Sequence, residues 1–144
     1  MFVHKWLVRA VFAVLCGNVA WAQPNDPSGI WITGDGRSHV SVRACGPHYC
    51  GTVVRLAEPY EADGQPKRDT ENPDPAKRNR PLIGMRILHD MAQVTGQARW
   101  EGQIYNPENG KHYAGSMMIR GDQLEVEGCV LIVVCQSQTW TRMK

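Results

Sequence analysis

After residue 22, no segment longer than ten residues keeps its apolar side chains at helical spacing. Short runs of alternating apolar and polar residues recur instead, each bounded by Gly, Asn, Asp or Pro, which is the pattern of half-buried strands joined by tight turns. Strands are predicted over 29–33, 39–43, 52–57, 83–88, 98–105, 111–120, 123–128 and 137–143. Turns are predicted at Gly34-Asp35-Gly36, Cys45-Gly46-Pro47-His48-Tyr49-Cys50 and Gly121-Asp122. Asn106-Pro107-Glu108-Asn109-Gly110 is a strong hairpin signal: Pro pre-sets φ, and Asn-Gly accepts the positive φ needed to rejoin the partner strand. About eight short antiparallel strands without crossover helices predict an all-β meander that closes into a small barrel, which also removes exposed strand edges. One stretch breaks the rhythm. Residues 58–81 are polar and carry Pro59, Pro66, Pro73, Pro75 and Pro81, and a loop this long in a compact domain is either functional or disordered.

Residues 1–22 read as a signal peptide. His4, Lys5 and Arg9 make a positive start, residues 10–19 are mostly small or apolar, and Ala20-Trp21-Ala22 offers a small-x-small cleavage site, so cleavage is expected after Ala22. The apolar run is about half the ~20 residues a membrane-spanning helix needs, and no later stretch approaches that length. Cys16 follows the bulky Leu15 rather than the small residue of a lipoprotein site, and is expected to leave with the leader. Residues 23–144 then form a single domain exported to the periplasm. Two of the sixteen basic residues lie in the leader and all fourteen acidic ones lie outside it, so the domain is charge-balanced. That balance argues against a nucleic-acid or anionic-membrane partner. A hydrophobic content of 42% supplies a real core.

Four cysteines remain, Cys45, Cys50, Cys129 and Cys135, an even number in an exported chain and hence candidates for disulfides. Two local pairs would each stabilise by about 2 kcal/mol in the loop-entropy picture, and a crosswise pairing by about 4 kcal/mol. Local hairpin geometry makes the first easier to form, although spacing alone does not choose. The rival, a four-cysteine zinc site, has poor ligand spacing and the wrong redox compartment.

Gly29-Ile30-Trp31 and Trp140-Thr141-Arg142 resemble the two ends of a calycin barrel, the superfamily of lipocalins and fatty-acid-binding proteins. The resemblance implies that Trp31 packs under Arg142, tying the first strand to the last, an interaction worth roughly 0.5 to 2 kcal/mol. A closer resemblance covers nearly the whole chain after the leader. Cys45-Gly46 with Cys50-Gly51, Asp69-Thr70-Glu71-Asn72-Pro73-Asp74, Arg78-Asn79-Arg80-Pro81-Leu82-Ile83-Gly84, Ile104-Tyr105-Asn106-Pro107 with Asn109-Gly110-Lys111, and Gly128-Cys129 with Gln138-Thr139-Trp140-Thr141-Arg142 resemble the exported bacterial domain-of-unknown-function family 2147. It implies a periplasmic calycin-like barrel for which no enzymatic activity is established.

Trp31, Val40, Val42, Val54, Leu56, Met85, Ile87, Trp100, Ile104, Met117, Ile119, Leu124 and Val126 alternate with polar residues and are expected to face the barrel interior. They form either a filled core or a small apolar cavity. In the second case Met85, Trp100, Met117 and Tyr105 are the expected ligand wall, since an eight-stranded barrel is just wide enough for one small guest and methionines adapt to irregular shapes. Arg78 and Arg80 either clamp a ligand carboxylate or pair with Asp69 and Asp74 and pin the loop, the latter being favoured in a loop rich in both signs. Asp69, Glu71, Asp74 and the Asn72 carbonyl offer hard oxygen ligands, but their spacing is not that of a calcium loop and the Asx-Pro pairs form turns, so no metal and no cofactor is expected. His39, His48, His89 and His112 fall on different strands and turns, without an H-E-x-x-H pair, and no nucleophile elbow surrounds Ser116. The reading is therefore a non-enzymatic module that binds a small hydrophobic or amphipathic molecule at the barrel mouth, with 58–81 as lid. The alternative is an interaction, inhibitor or immunity-type module that contacts another exported protein through its loops.

Overall fold

The computed structural model describes residues 25–144; the expected leader, its cleavage site and Cys16 lie outside them. Period-two alternation yields eight strands: β1 (Gly29–Ile32), β2 (Ser38–Cys45), β3 (His48–Leu56), β4 (Arg86–Gln93), β5 (Arg99–Asn106), β6 (Lys111–Arg120), β7 (Gln123–Val130) and β8 (Val134–Arg142). Each pairs antiparallel with the next and β8 returns to β1, closing the barrel. The fold is thus the all-β meander barrel expected from the sequence.

Closure at one end is carried by β1 and β8. Trp31 sits opposite Arg142, whose guanidinium carbon lies 4.2 Å from the centre of the Trp31 ring. The same guanidinium donates to the carbonyls of Ser28 at 2.6 Å and Asp26 at 3.1 Å, while the Trp31 indole N–H donates to the Pro27 carbonyl. A Cβ at Gly29 would stand 2.7 Å from the arginine, and its φ of +143° is one that side chains resist, which accounts for glycine in the Gly-x-Trp pattern.

The interior is filled. Trp31, Val40, Leu88, Met91, Met117 and Leu124 have no exposed surface, so not even a water-sized void touches them. Inward-facing glycines make room for large neighbours: a Cβ on Gly51 would strike Leu88, and one on Gly115 would strike Ile104.

Register corrects several expectations. Val54 is 41% exposed, whereas Val53 is buried, because β2 and β3 slip at His39/Val40: Val40 faces Val53 but His39 faces Arg55, leaving Val54 in a bulge. Strand β4 starts at Arg86, later than expected, because the Met85 amide turns back to Leu82 and Gly84 takes φ +90°. Leu88 and Met91 thereby enter the core, and a register shift between His89 and Ala92, with Asp90 at φ +50°, keeps both inward. Strands β2 and β3 run on to a tight turn at Gly46 and Pro47, and β7 and β8 on to a turn after Val130, so the turn expected across 45–50 is mostly ladder. Disulfides Cys45–Cys50 and Cys129–Cys135 staple these two hairpins, the local pairing.

Candidate functional site

The long loop is pinned on the outer wall of the barrel. Tyr105 and His112 face each other across β5 and β6, one residue out of step with the inward Ile104, so both point outward. The loop meets that face through Asp69, which has no exposed surface. The Tyr105 hydroxyl donates to Asp69 Oδ1 at 2.5 Å, and the Asn72 amide donates to Oδ2 at 2.7 Å and to the Tyr105 oxygen at 3.1 Å. Arg80 reaches Oδ2 from the loop's far limb at 3.0 Å, and Arg78 donates to the Asn72 carbonyl at 2.8 Å. Backbone bonds from Asp69 to Arg80 and from Leu82 to Lys67 hold the two limbs side by side.

Each sequence choice here has a local reason. Asp74 caps a single 3-10 turn, Pro75–Lys77, by accepting from the Ala76 amide, and Pro75 supplies a preset φ at its start. Gly110, at φ +68°, lies against the Glu71 carbonyl where any Cβ would collide, so the β5–β6 hairpin and the loop interlock only with glycine there. Burial alone would raise the Asp69 carboxyl, but hydrogen bonds from Tyr105, Asn72 and Arg80, with the Arg80 charge, outweigh it and hold the group below the ordinary carboxylate value. Burial, then the neighbouring Asp69 carboxylate, push the Tyr105 hydroxyl up to about 12.

Between the pinned loop and the wall lies a cleft of about 530 Å³. Pro73, Pro81, Ile83, Met85 and Tyr105 give it an apolar floor, and Lys77, Arg80, Arg86, His89 and His112 ring it together with Asp74. Lys77 is 3.9 Å from Asp74 and Arg80 is bound to Asp69, while Arg86 makes no ion pair among the described residues. The rim therefore carries a net positive charge, with the carboxylates of Asp74 and Asp69 against the three permanent cations Lys77, Arg80 and Arg86. His89 and His112 have ring centres 6.1 Å apart, and His112 lies 4.8 Å from the Tyr105 ring. Burial, then repulsion from His112 and Arg86, lower His89 below the usual histidine value, which favours its neutral form.

Of the ligand-wall residues expected from sequence, Met85, Tyr105 and Arg80 come together at this cleft. Trp100 and Met117 do not; they pack inside the barrel, Trp100 edge-on to Tyr49. Arg78 holds the loop backbone, Asp69 and Asn72 tie the loop to Tyr105 on β5, and Asp74 caps the loop's own turn, with Asn72 and Asp74 also lining the cleft. The sequence offers His89 and His112 only as separate histidines and Lys77 only as a counter-charge for the loop carboxylates, and it gives no signal for Arg86. Strand pairing alone brings the two histidines close, and neither lies in a recognisable spacing.

A family model described as "Uncharacterized protein conserved in bacteria (DUF2147)" matches residues 29–142. No curated protein matches the chain. One solved structure, described as "Protein HP1028 from the human pathogen Helicobacter pylori belongs to the lipocalin family", is similar at a TM-score of 0.69 and 23% identity, over 83% of this chain and 84% of that one. At that identity the likeness speaks for the fold, an eight-stranded antiparallel barrel of lipocalin type.

Proposed function

Since this chain belongs to the DUF2147 family of uncharacterized bacterial proteins, we propose from its geometry that it is a non-enzymatic periplasmic module that binds a small amphipathic anion in the cleft under the long loop. The two disulfides support export, since such bonds persist outside the reducing cytoplasm. The observation that carries the ligand class is the pairing of an apolar floor with a cationic rim in a cleft sized for a small molecule. A carboxylate head would meet Arg86 and the outer edge of Arg80, and an acyl or aryl body would lie on Ile83 and Met85.

The barrel interior is a poorer candidate, since its aromatic and methionine side chains already occupy it. The ligand reading therefore moves from the barrel mouth to the wall outside. The second reading, an interaction module acting through loops, draws on the same filled interior together with the exposed apolar tip at 130–134.

Titration of the oxidised protein with a fluorescent anionic fatty-acid probe tests the first reading. Saturable one-to-one binding is expected, weakened about tenfold or more by Arg86→Glu, since one charge-assisted bond is worth about 1.5 kcal/mol or more and 1.4 kcal/mol is tenfold. Binding that ignores Arg86→Glu, or no binding at any acyl length, would remove the cleft from consideration.

A further inference from the structure

We infer that the hairpin tip joining β7 to β8 docks the protein on a lipid bilayer, dipping its aliphatic side chains into the hydrocarbon. The β7–β8 ladder runs to Val130 opposite Val134 and leaves a three-residue loop, Leu131, Ile132 and Val133. Those three are 81%, 98% and 84% exposed, and Val130 and Val134 are exposed beside them. No charged residue and no proline occurs from Gly128 to Thr141.

Local chemistry opposes this tip twice. Water disfavours five adjoining aliphatic side chains, and Leu131 stands at φ +47°, a left-handed conformation that turns ordinarily give to glycine or asparagine. A bulky apolar residue held both in water and in a disfavoured turn marks a contact site, since folding alone gains nothing from it. The Cys129–Cys135 disulfide closes the neck of the hairpin and fixes its shape before anything meets it.

Composition and size favour hydrocarbon over a protein as the occupant. Protein interfaces draw their binding energy from Trp, Tyr and Arg, with Leu and Val under-represented, and take about 20–30 residues from each side. This tip has no ring, no hydrogen-bonding side chain and five residues. A bilayer asks only for apolar area, and five residues are enough to dip into it but far short of the ~9–11 that a spanning strand needs. The backbone suits the same medium: the ladder pairs Val130 with Val134, and the Val134 amide donates to the Leu131 carbonyl at 3.3 Å, which leaves few free polar groups at the apex. A contact made through hydrocarbon also needs no basic excess, in keeping with the balanced charge of the domain. Because Ala114 lies opposite Cys129, the tip leaves the barrel at the end where β6 begins, the end that carries His112 and the cleft. The docking goes beyond the cleft reading and does not rest on it.

Flotation of the oxidised protein with phosphatidylcholine vesicles, with and without added phosphatidylglycerol, tests this. Binding to both is expected, with little dependence on salt. Ile132→Asp should weaken it at least about tenfold with unchanged near-ultraviolet dichroism. Leu131→Asn should also weaken it, yet unfold at the same temperature as the parent or higher, because asparagine accepts the positive φ. In Ile132→Trp, phosphatidylcholine brominated on its acyl chains should quench the new indole. No flotation, flotation equal in Ile132→Asp, or an unquenched indole would overturn the inference. So would flotation that requires phosphatidylglycerol, or a lipid-free dimer that Ile132→Asp abolishes, since a charged surface or a second copy would then be the occupant.

Discussion

Tyr105 joins two parts of the chain through one hydroxyl, 36 positions along the sequence from the Asp69 it bonds. Phenylalanine at that position keeps the ring but leaves a fully buried carboxylate one donor short. Tyr105→Phe is expected to cost about 1–3 kcal/mol in urea unfolding. The pair also shapes stability against pH from both sides. The folded chain holds the tyrosine proton up to about 12, against 10.0 ordinarily, so this contribution is complete below pH 10.0 and is lost as pH rises through the folded value. Asp69 behaves oppositely: its contribution is complete above the ordinary 3.8 and is lost as acid protonates it in the folded state. A phenolate absorbance phase near pH 12, missing in Tyr105→Phe, checks the assignment. Asp69, Asn72 and Tyr105 each stand out in the sequence. Their joining does not, because it depends on which face of β5 Tyr105 occupies and where the loop lands.

Among the elements, the 58–81 segment shows how a polar, proline-rich stretch becomes a defined structure without a core of its own. It is ordered by capping, by two antiparallel bridges (Tyr60 with Pro66, Arg68 with Pro81), and by the interlock of Gly110 with Glu71. Gly110→Ala is expected to unlatch the loop at a cost of about 1–3 kcal/mol, from a disfavoured φ together with a steric clash. Trypsin should then cut at Lys77 and Arg78 faster than in the parent while the barrel fragments stay intact; unchanged cleavage would show that the latch lies elsewhere. Strand existence was legible from alternation. Strand parity was legible only where the ladder is regular, and at Val54 the bulge turned the expected inward valine outward. The five apolar residues at 130–134 carried no period; the flanking Cys129 and Cys135 offered a stapled turn there, but not that β7 and β8 would run on to Val130 and from Val134.

For the molecule as a whole, the consequence of a filled barrel is that stability and binding reside in different places. Met117→Ala, which opens a hole among fully buried side chains, is expected to lower unfolding stability by about 2–5 kcal/mol. It should leave fatty-acid-probe affinity unchanged, whereas Arg86→Glu should do the reverse; a loss of affinity in Met117→Ala would return the ligand to the interior. The sequence by itself determined the strand count and the meander order, because alternation and turn chemistry are local and were written residue by residue; the Trp31 and Arg142 closure came from a family resemblance, and the choice between local and crosswise cysteine pairs was left to the structure. Tertiary structure alone decided that the interior is full, that a cleft forms outside it and that His89 and His112 are neighbours. Those outcomes follow from volume and long-range register, and a single slipped residue in one ladder is enough to change them.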